Sequence, residues 1–208
     1  MLMVKPFAAA LCLATFALTT ATSVAEAQGR RNWELTVSNA KLGRIAVPSP
    51  LGEKTSYWFF AFTIENKSGA ERPLGIFVRG ADDEDKAFHE GFWPDAEKLA
   101  EERLGGERLT MSERPKTIAD GAKVECLAIL GPVNKEADVV AVDISGLAET
   151  VLREKGKEFH LPRVKRFSFR RAGDEFYTSF DLVEAGSSEW VELSDRRQLP
   201  NAARPKRD

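Results

Sequence analysis

The stretch from Tyr57 to Gly69, read Tyr-Trp-Phe-Phe-Ala-Phe-Thr-Ile-Glu-Asn-Lys-Ser-Gly, limits the possible folds of this chain more than any other. At the period of two that a strand imposes, Trp58, Phe60, Phe62 and Ile64 share one wholly apolar face. Tyr57, Phe59, Ala61, Thr63 and Glu65 share the other. This pattern predicts a central strand with one face fully buried in a sheet. Asn66 to Gly69 then supplies turn chemistry: Asn and Gly tolerate the left-handed backbone of a tight reversal, and Ser bonds back to the main chain. Beyond the turn, Leu74, Ile76 and Val78 alternate within Pro73 to Arg79, which predicts a strand pairing antiparallel with the first.

The rest of the chain repeats this period. Trp33, Leu35 and Val37 alternate with polar residues and predict a half-buried strand, preceded by a loose segment over Gln28 to Arg31. A second short strand over Leu42 to Val47 is expected to stop at Val47-Pro48-Ser49-Pro50, since proline has no N–H for a ladder. Ala81 to Lys86 reads as a solvated acidic loop. Over Pro94 to Leu104 the period changes. Ala96, Leu99, Ala100 and Leu104 fall on one helical face, acids come early, Arg103 comes late, and Gly105-Gly106 is a stop. Asp120-Gly121 turns into a strand over Val124 to Leu130, and another follows over Asp138 to Ile144. Leu147 to Lys155 fits a short helix or an edge strand. Phe167 and Phe169, a turn at Arg171 to Asp174, a returning strand over Phe176 to Leu182 and a last one at Trp190 to Leu193 complete the pattern. Together these predict an all-β fold: a two-sheet, immunoglobulin-like antiparallel sandwich with one short inserted helix, over residues 28–194.

The ends of the chain read differently. Lys5, the apolar run Phe7 to Leu18 and Ala25-Glu26-Ala27 have the charge, length and cleavage pattern of a secretory signal peptide over residues 1–27. This implies export to the periplasm or beyond the cell, with no transmembrane segment after cleavage. Cys12 lacks the small residue directly before it that a lipoprotein box needs. Residues 195–208 read as a disordered basic tail. Cys126 is the single cysteine after the signal, and its place in an apolar run predicts a small buried hydrophobe and not a reactive thiol. Acidic and basic residues, 32 and 30, are mixed along the chain with a net charge of −2, which does not advertise a nucleic-acid partner.

Candidate chemistry is sparse. Asp82, Asp83 and Asp85, with Glu84 between them, form the densest set of oxygen ligands and are the candidate metal site, calcium being the ion that suits a flexible carboxylate loop. Their spacing is not that of an EF-hand, and no other cofactor is implied. Phe88, His89, Phe92 and Trp93 are the candidate ligand-binding residues, because exposed aromatics beside an imidazole stack on a sugar ring or anchor a protein. The competing expectation is that Phe92 and Trp93 tuck the helix onto the sheet. No Gly-x-Ser-x-Gly, His-Glu-x-x-His, Cys-x-x-Cys or phosphate-binding glycine loop is present, and only His89 and His160 are available for acid–base work.

Trp33-Glu34-Leu35, Tyr57 to Phe60 followed by Ile64 to Gly69, and Arg171 to Tyr177 with Trp190-Val191 together resemble a group of uncharacterised secreted bacterial proteins found in planctomycete-like genomes. The resemblance implies a secreted β-sandwich and carries over no activity and no catalytic residue. The expected function is an exported, non-enzymatic interaction or structural module with a protein or glycan partner in the cell envelope. The alternative is a secreted carbohydrate-binding or carbohydrate-processing protein.

Overall fold

A computed structural model describes residues 30–49, 52–133, 137–154, 157–170 and 183–193. The expected signal peptide, the turn at Arg171, the returning strand over Phe176 to Leu182 and the basic tail lie outside the described residues. The elements are β1 (Arg30–Pro48), β2 (Lys54–Asn66), β3 (Arg72–Pro73), β4 (Phe77–Asp82), β5 (Ala87–His89), α1 (Pro94–Leu104), β6 (Thr117–Ile118), β7 (Lys123–Leu130), β8 (Val139–Ser145), β9 (Ala148–Glu154), β10 (Lys157–Leu161), β11 (Arg163–Arg170), β12 (Val183–Glu184) and β13 (Ser187–Glu192). They form an all-β sandwich. A six-stranded sheet runs β10-β9-β1-β2-β7 with β12 added to β1, a five-stranded sheet runs β13-β11-β8-β4-β5, and β3 pairs with β6. Among the described residues no helix is long and apolar enough to cross a membrane.

The predicted organising strand is β2, and both its edges are paired, with β1 on one side and β7 on the other. Trp58, Phe60, Phe62 and Ile64 face the second sheet, where Val78, Val140, Val142, Ile144, Phe167 and Phe169 meet them. Phe60 lies at the middle of this layer, its ring centroid 4.8 Å from Phe62, 5.8 Å from Phe167 and 5.9 Å from Phe169. The opposite face of β2 is also covered over part of its length. Tyr57 and Phe59 form a smaller core with Ile45, Leu127 and Ile129 beneath Ala96 and Ala100 of α1. The alanines bring the helix close to the sheet, and Gly43 leaves room beside them for the Phe59 ring, whose Cζ lies 2.2 Å from where a Cβ would sit. α1 has the predicted boundaries, starts on Pro94 and ends on Gly105 at φ 73°.

Several expectations are corrected. The segments over Trp33 to Val37 and Leu42 to Val47 are one continuous strand, β1, carried past an irregularity between Ser38 and Lys41 where Asn39 has φ 54°. Arg30 and Arg31 belong to it as well, paired with Val151 and Thr150, so the loose segment does not reach that far. The ambiguous Leu147 to Lys155 stretch contains strand β9, paired with β1 and β10. Pro73 to Arg79 does not pair with β2. It divides into β3 and β4, and β4 joins the other sheet between β8 and β5. The reason is that β2 has no free edge, so the chain leaving it must cross the sandwich. Alternation looks the same in a hairpin and in a crossing strand.

Asn66 organises that crossing by hydrogen bonding and not by a left-handed backbone. Its buried side-chain amide donates to the carbonyls of Ala70 and Ile118 at 2.8 Å each and accepts from Ser68 N at 3.0 Å. Gly69 takes the positive φ, 81°.

Candidate functional site

The acidic loop is a β-hairpin turn. Ala81 and Asp82 are the end of β4, and the chain returns through β5. Asp82 is buried, and its Oδ1 accepts from Glu84 N at 3.2 Å and Lys86 N at 2.8 Å. Its carboxylate therefore closes its own turn. Asp83 is exposed and accepts from Asp138 N at 3.1 Å, while Asp85 occupies the left-handed position of the turn at φ 58°. Among the described residues, no group of three or more His, Cys, Asp or Glu side chains is arranged to hold a metal ion. Asp82→Ala is expected to lower stability by about 0.5–2 kcal/mol through loss of these turn hydrogen bonds, in the range of comparable side-chain caps. Melts with calcium and with chelator test the metal role. A rise in calcium that Asp82→Ala abolishes would assign it.

The aromatic set is split by the fold. Phe88 is buried in the main core, packed against Gly80, where an added Cβ would lie 2.0 Å from its ring. Trp93 is half-buried at the start of α1, its ring 5.0 Å from that of Tyr57, as the packing expectation had it. Phe92 is 65% exposed and His89 is exposed, so these two of the set reach solvent freely. They do not form a shared platform with Phe88. His89 lies on the outer face of the five-stranded sheet beside Arg79.

Two ionic sites that sequence reasoning missed come from pairing across strands. On the outer face of the five-stranded sheet, register places His89 beside Arg79, Arg79 beside Asp143, Asp143 beside Arg166 and Arg166 beside Glu189. One polar row thus crosses all five strands. Asp143 is 5% exposed and holds both arginines. Arg166 donates Nε to Oδ1 at 2.7 Å and Nη2 to Oδ2 at 2.9 Å. Arg79 donates Nε and Nη2 to Oδ2 at 3.2 and 2.9 Å. The Asp143 hydrogen bond, and its charge with that of Glu189, raise the pKa of Arg166 against the opposing effect of burial. The sequence signal for this site is a single acid inside the apolar run of β8, between Val142 and Ile144.

The second site guards the edge of β7. Leu109 N donates to Glu125 O at 2.9 Å, Leu127 N donates to Leu109 O at 3.0 Å, and Gly91 N donates to Ile129 O at 3.1 Å. Arg114 completes the cover, with Nη2 donating to Leu127 O at 2.8 Å. Its guanidinium also pairs with Glu90, through Nη1 to Oε2 at 3.0 Å and through Nη2 to Oε1. Both side chains are almost fully buried, 4% and 1% exposed. Burial raises the Glu90 pKa above its ordinary value, and the hydrogen bond and charge of Arg114 act against that rise. Thr110 and Glu113 shape the turn that delivers Arg114, Thr110 N and Oγ1 each donating to Glu113 Oε2 at 2.9 Å. Exposed edges recruit other strands, so this cover keeps β7 from pairing outside the molecule between Glu125 and Ile129.

Cys126 sits on β7, buried, with its thiol pushed up to about 11 chiefly by desolvation. It is protonated at neutral pH and is a poor nucleophile. A cleft of about 560 Å³ lies between α1 and β7, lined by Glu101, Glu107, Arg108, Leu109, Glu113 and Glu125 among others. Comparison with protein-family models, curated proteins and solved structures finds no match.

Proposed function

We propose that this chain is an exported, immunoglobulin-like β-sandwich that acts without catalysis, as an interaction or structural module with a protein or glycan of the cell envelope. One observation carries this reading: the buried ionisable groups described above are spent on the fold. Asp143 is saturated by two arginines, Glu90 by Arg114, Asp82 by its own turn, and the Cys126 thiol is held in its neutral form. Catalytic groups are usually perturbed in a cleft and left free to act on a substrate. Here Glu90, Arg166 and the Cys126 thiol, whose pKa values are shifted, sit inside ion pairs or the core. The signal-like residues 1–27 and the resemblance to secreted bacterial proteins support the compartment. The test is crosslinking in the native envelope, followed by purification of the tagged protein. A reproducible partner at near-equal amount is the expected result. Recovery of the protein alone, together with chemical turnover of an envelope polymer by the purified chain, would overturn the reading.

A further inference from the structure

Each of the two arginines of the polar row spends two of its five N–H donors on Asp143. A guanidinium presents two forks: a side-on edge made by Nε and Nη2, and an end-on edge made by Nη1 and the second hydrogen of Nη2. Arg79 and Arg166 both spend the side-on edge on Asp143. Among the described residues neither Nη1 has a partner. Their side chains are partly exposed, 20% and 34%, while the carboxylate that fixes them is buried. Three side chains thus sum to one positive charge, with two end-on forks held in place on an accessible sheet face. Holding a long side chain in its binding geometry removes the rotamer entropy that capture of a ligand would otherwise cost. A planar fork of this kind matches a carboxylate bidentately.

From this geometry we infer that the outer face of the five-stranded sheet is a binding site for a carboxylate-bearing polysaccharide, with Arg79 and Arg166 each receiving a uronate carboxylate. β4 and β11 flank β8, and the two arginines reach toward each other from these strands, each Nη2 lying 2.9 Å from the same Asp143 Oδ2. The neighbouring row is low, with Ala81, Ala141, Ser168 and Ser187 in register across four strands. It leaves space for sugar rings, and two serine hydroxyls are there for their polar edges. A peptide partner would be expected at a strand edge or in a groove. Both arginines lie on interior strands, away from the ends of the sheet order. Glu189 opposes the site, since it faces Arg166 in register and competes for the same cation.

The inference deepens the non-enzymatic binding reading and rests on it. The test is calorimetric titration of the full chain without its signal segment with polygalacturonate. Fully methyl-esterified polygalacturonate, dextran sulfate and poly-glutamate serve as comparisons. Polygalacturonate is expected to bind, more weakly as salt rises, and the ester is expected not to bind. Arg79→Gln and Arg166→Gln are each expected to weaken binding about tenfold or more, the worth of a charge-assisted fork. Glu189→Gln, which leaves the Asp143 clamp intact, is expected to tighten it. Arg166→Lys keeps the charge beside Asp143 and loses both forks, so binding should fall, and the melting temperature read beside it shows how much of that fall is scaffold and how much is site. The inference is overturned if polygalacturonate is not bound, if dextran sulfate or poly-glutamate binds as tightly, or if Glu189→Gln has no effect. A protein partner captured from the envelope beside a failed titration removes the glycan and keeps the module. New reducing ends in the titrated polymer would instead remove the non-enzymatic reading and keep the site.

Discussion

Replacing Phe60 with alanine is expected to lower the unfolding free energy by about 3–5 kcal/mol, the range for truncating a large aromatic in a packed core. Phe60 is fully buried and touches the core from the middle of β2, with aromatic neighbours from its own strand and from β11 across the sandwich. Truncation removes apolar burial and also leaves a void that two hydrogen-bonded sheets cannot close, because each is held by its own ladders. Domains are commonly stable by only about 5–15 kcal/mol, so the loss is a large fraction of the whole. Urea unfolding checks it through a lower midpoint at unchanged slope. A change below about 1 kcal/mol would mean that Phe60 does not join the two sheets as the structure has it.

The second large effect is expected at the buried ion pair. Arg114→Ala leaves the Glu90 carboxylate enclosed without a counter-charge and also uncaps Leu127 O on β7. Removing one partner of a buried pair costs about 3–5 kcal/mol, well beyond the net worth of the pair itself. The loss depends on pH, with a definite sign. The folded pKa of Glu90 is raised above its unfolded value, so the fold binds this proton more tightly than the unfolded chain does. Its contribution is fully present below the ordinary carboxyl value and is lost as pH rises through the folded pKa. Taking away Arg114 removes its hydrogen bond and its charge, the two larger of the influences that hold that pKa down, so in the variant it climbs further and the loss continues to higher pH. The gap in stability between the parent and Arg114→Ala is therefore expected to be small in acid and to widen toward neutrality. The double variant Glu90→Leu with Arg114→Met buries no charge and should recover most of the loss. Urea titrations of the three proteins across this pH range check both statements. A gap that is constant with pH would show that the cost lies in the β7 edge and not in the carboxylate.

Much of the fold was legible because burial imposes a period. The alternation of Trp58, Phe60, Phe62 and Ile64 identified the central strand, and the change to a helical period at Ala96, Leu99, Ala100 and Leu104 located α1 to its boundaries. Phe59 shared a mixed face with Tyr57, Ala61, Thr63 and Glu65, and that face proved to lie partly beneath α1. The candidate sites were less legible. Phe88 and Asp82 have residue types suited to a ligand or a metal, yet one is core and the other closes a turn. Both roles use the same side chain that binding would use, and composition cannot separate them.

By itself the sequence determined the all-β class, the strand at the centre, the inserted helix and the buried character of Cys126. Each of these follows from local pattern: period, turn residues and apolar runs are properties of neighbours along the chain. Only the tertiary structure decided that β1 is one strand, that β4 crosses to the second sheet, and that Asp143 meets Arg79 and Arg166 while Glu90 meets Arg114. Those facts depend on which strand edge is free and on the register between strands far apart in sequence. Asp143 lies 64 residues from Arg79 and 23 from Arg166, and only the sheet hydrogen bonds place the three in one row.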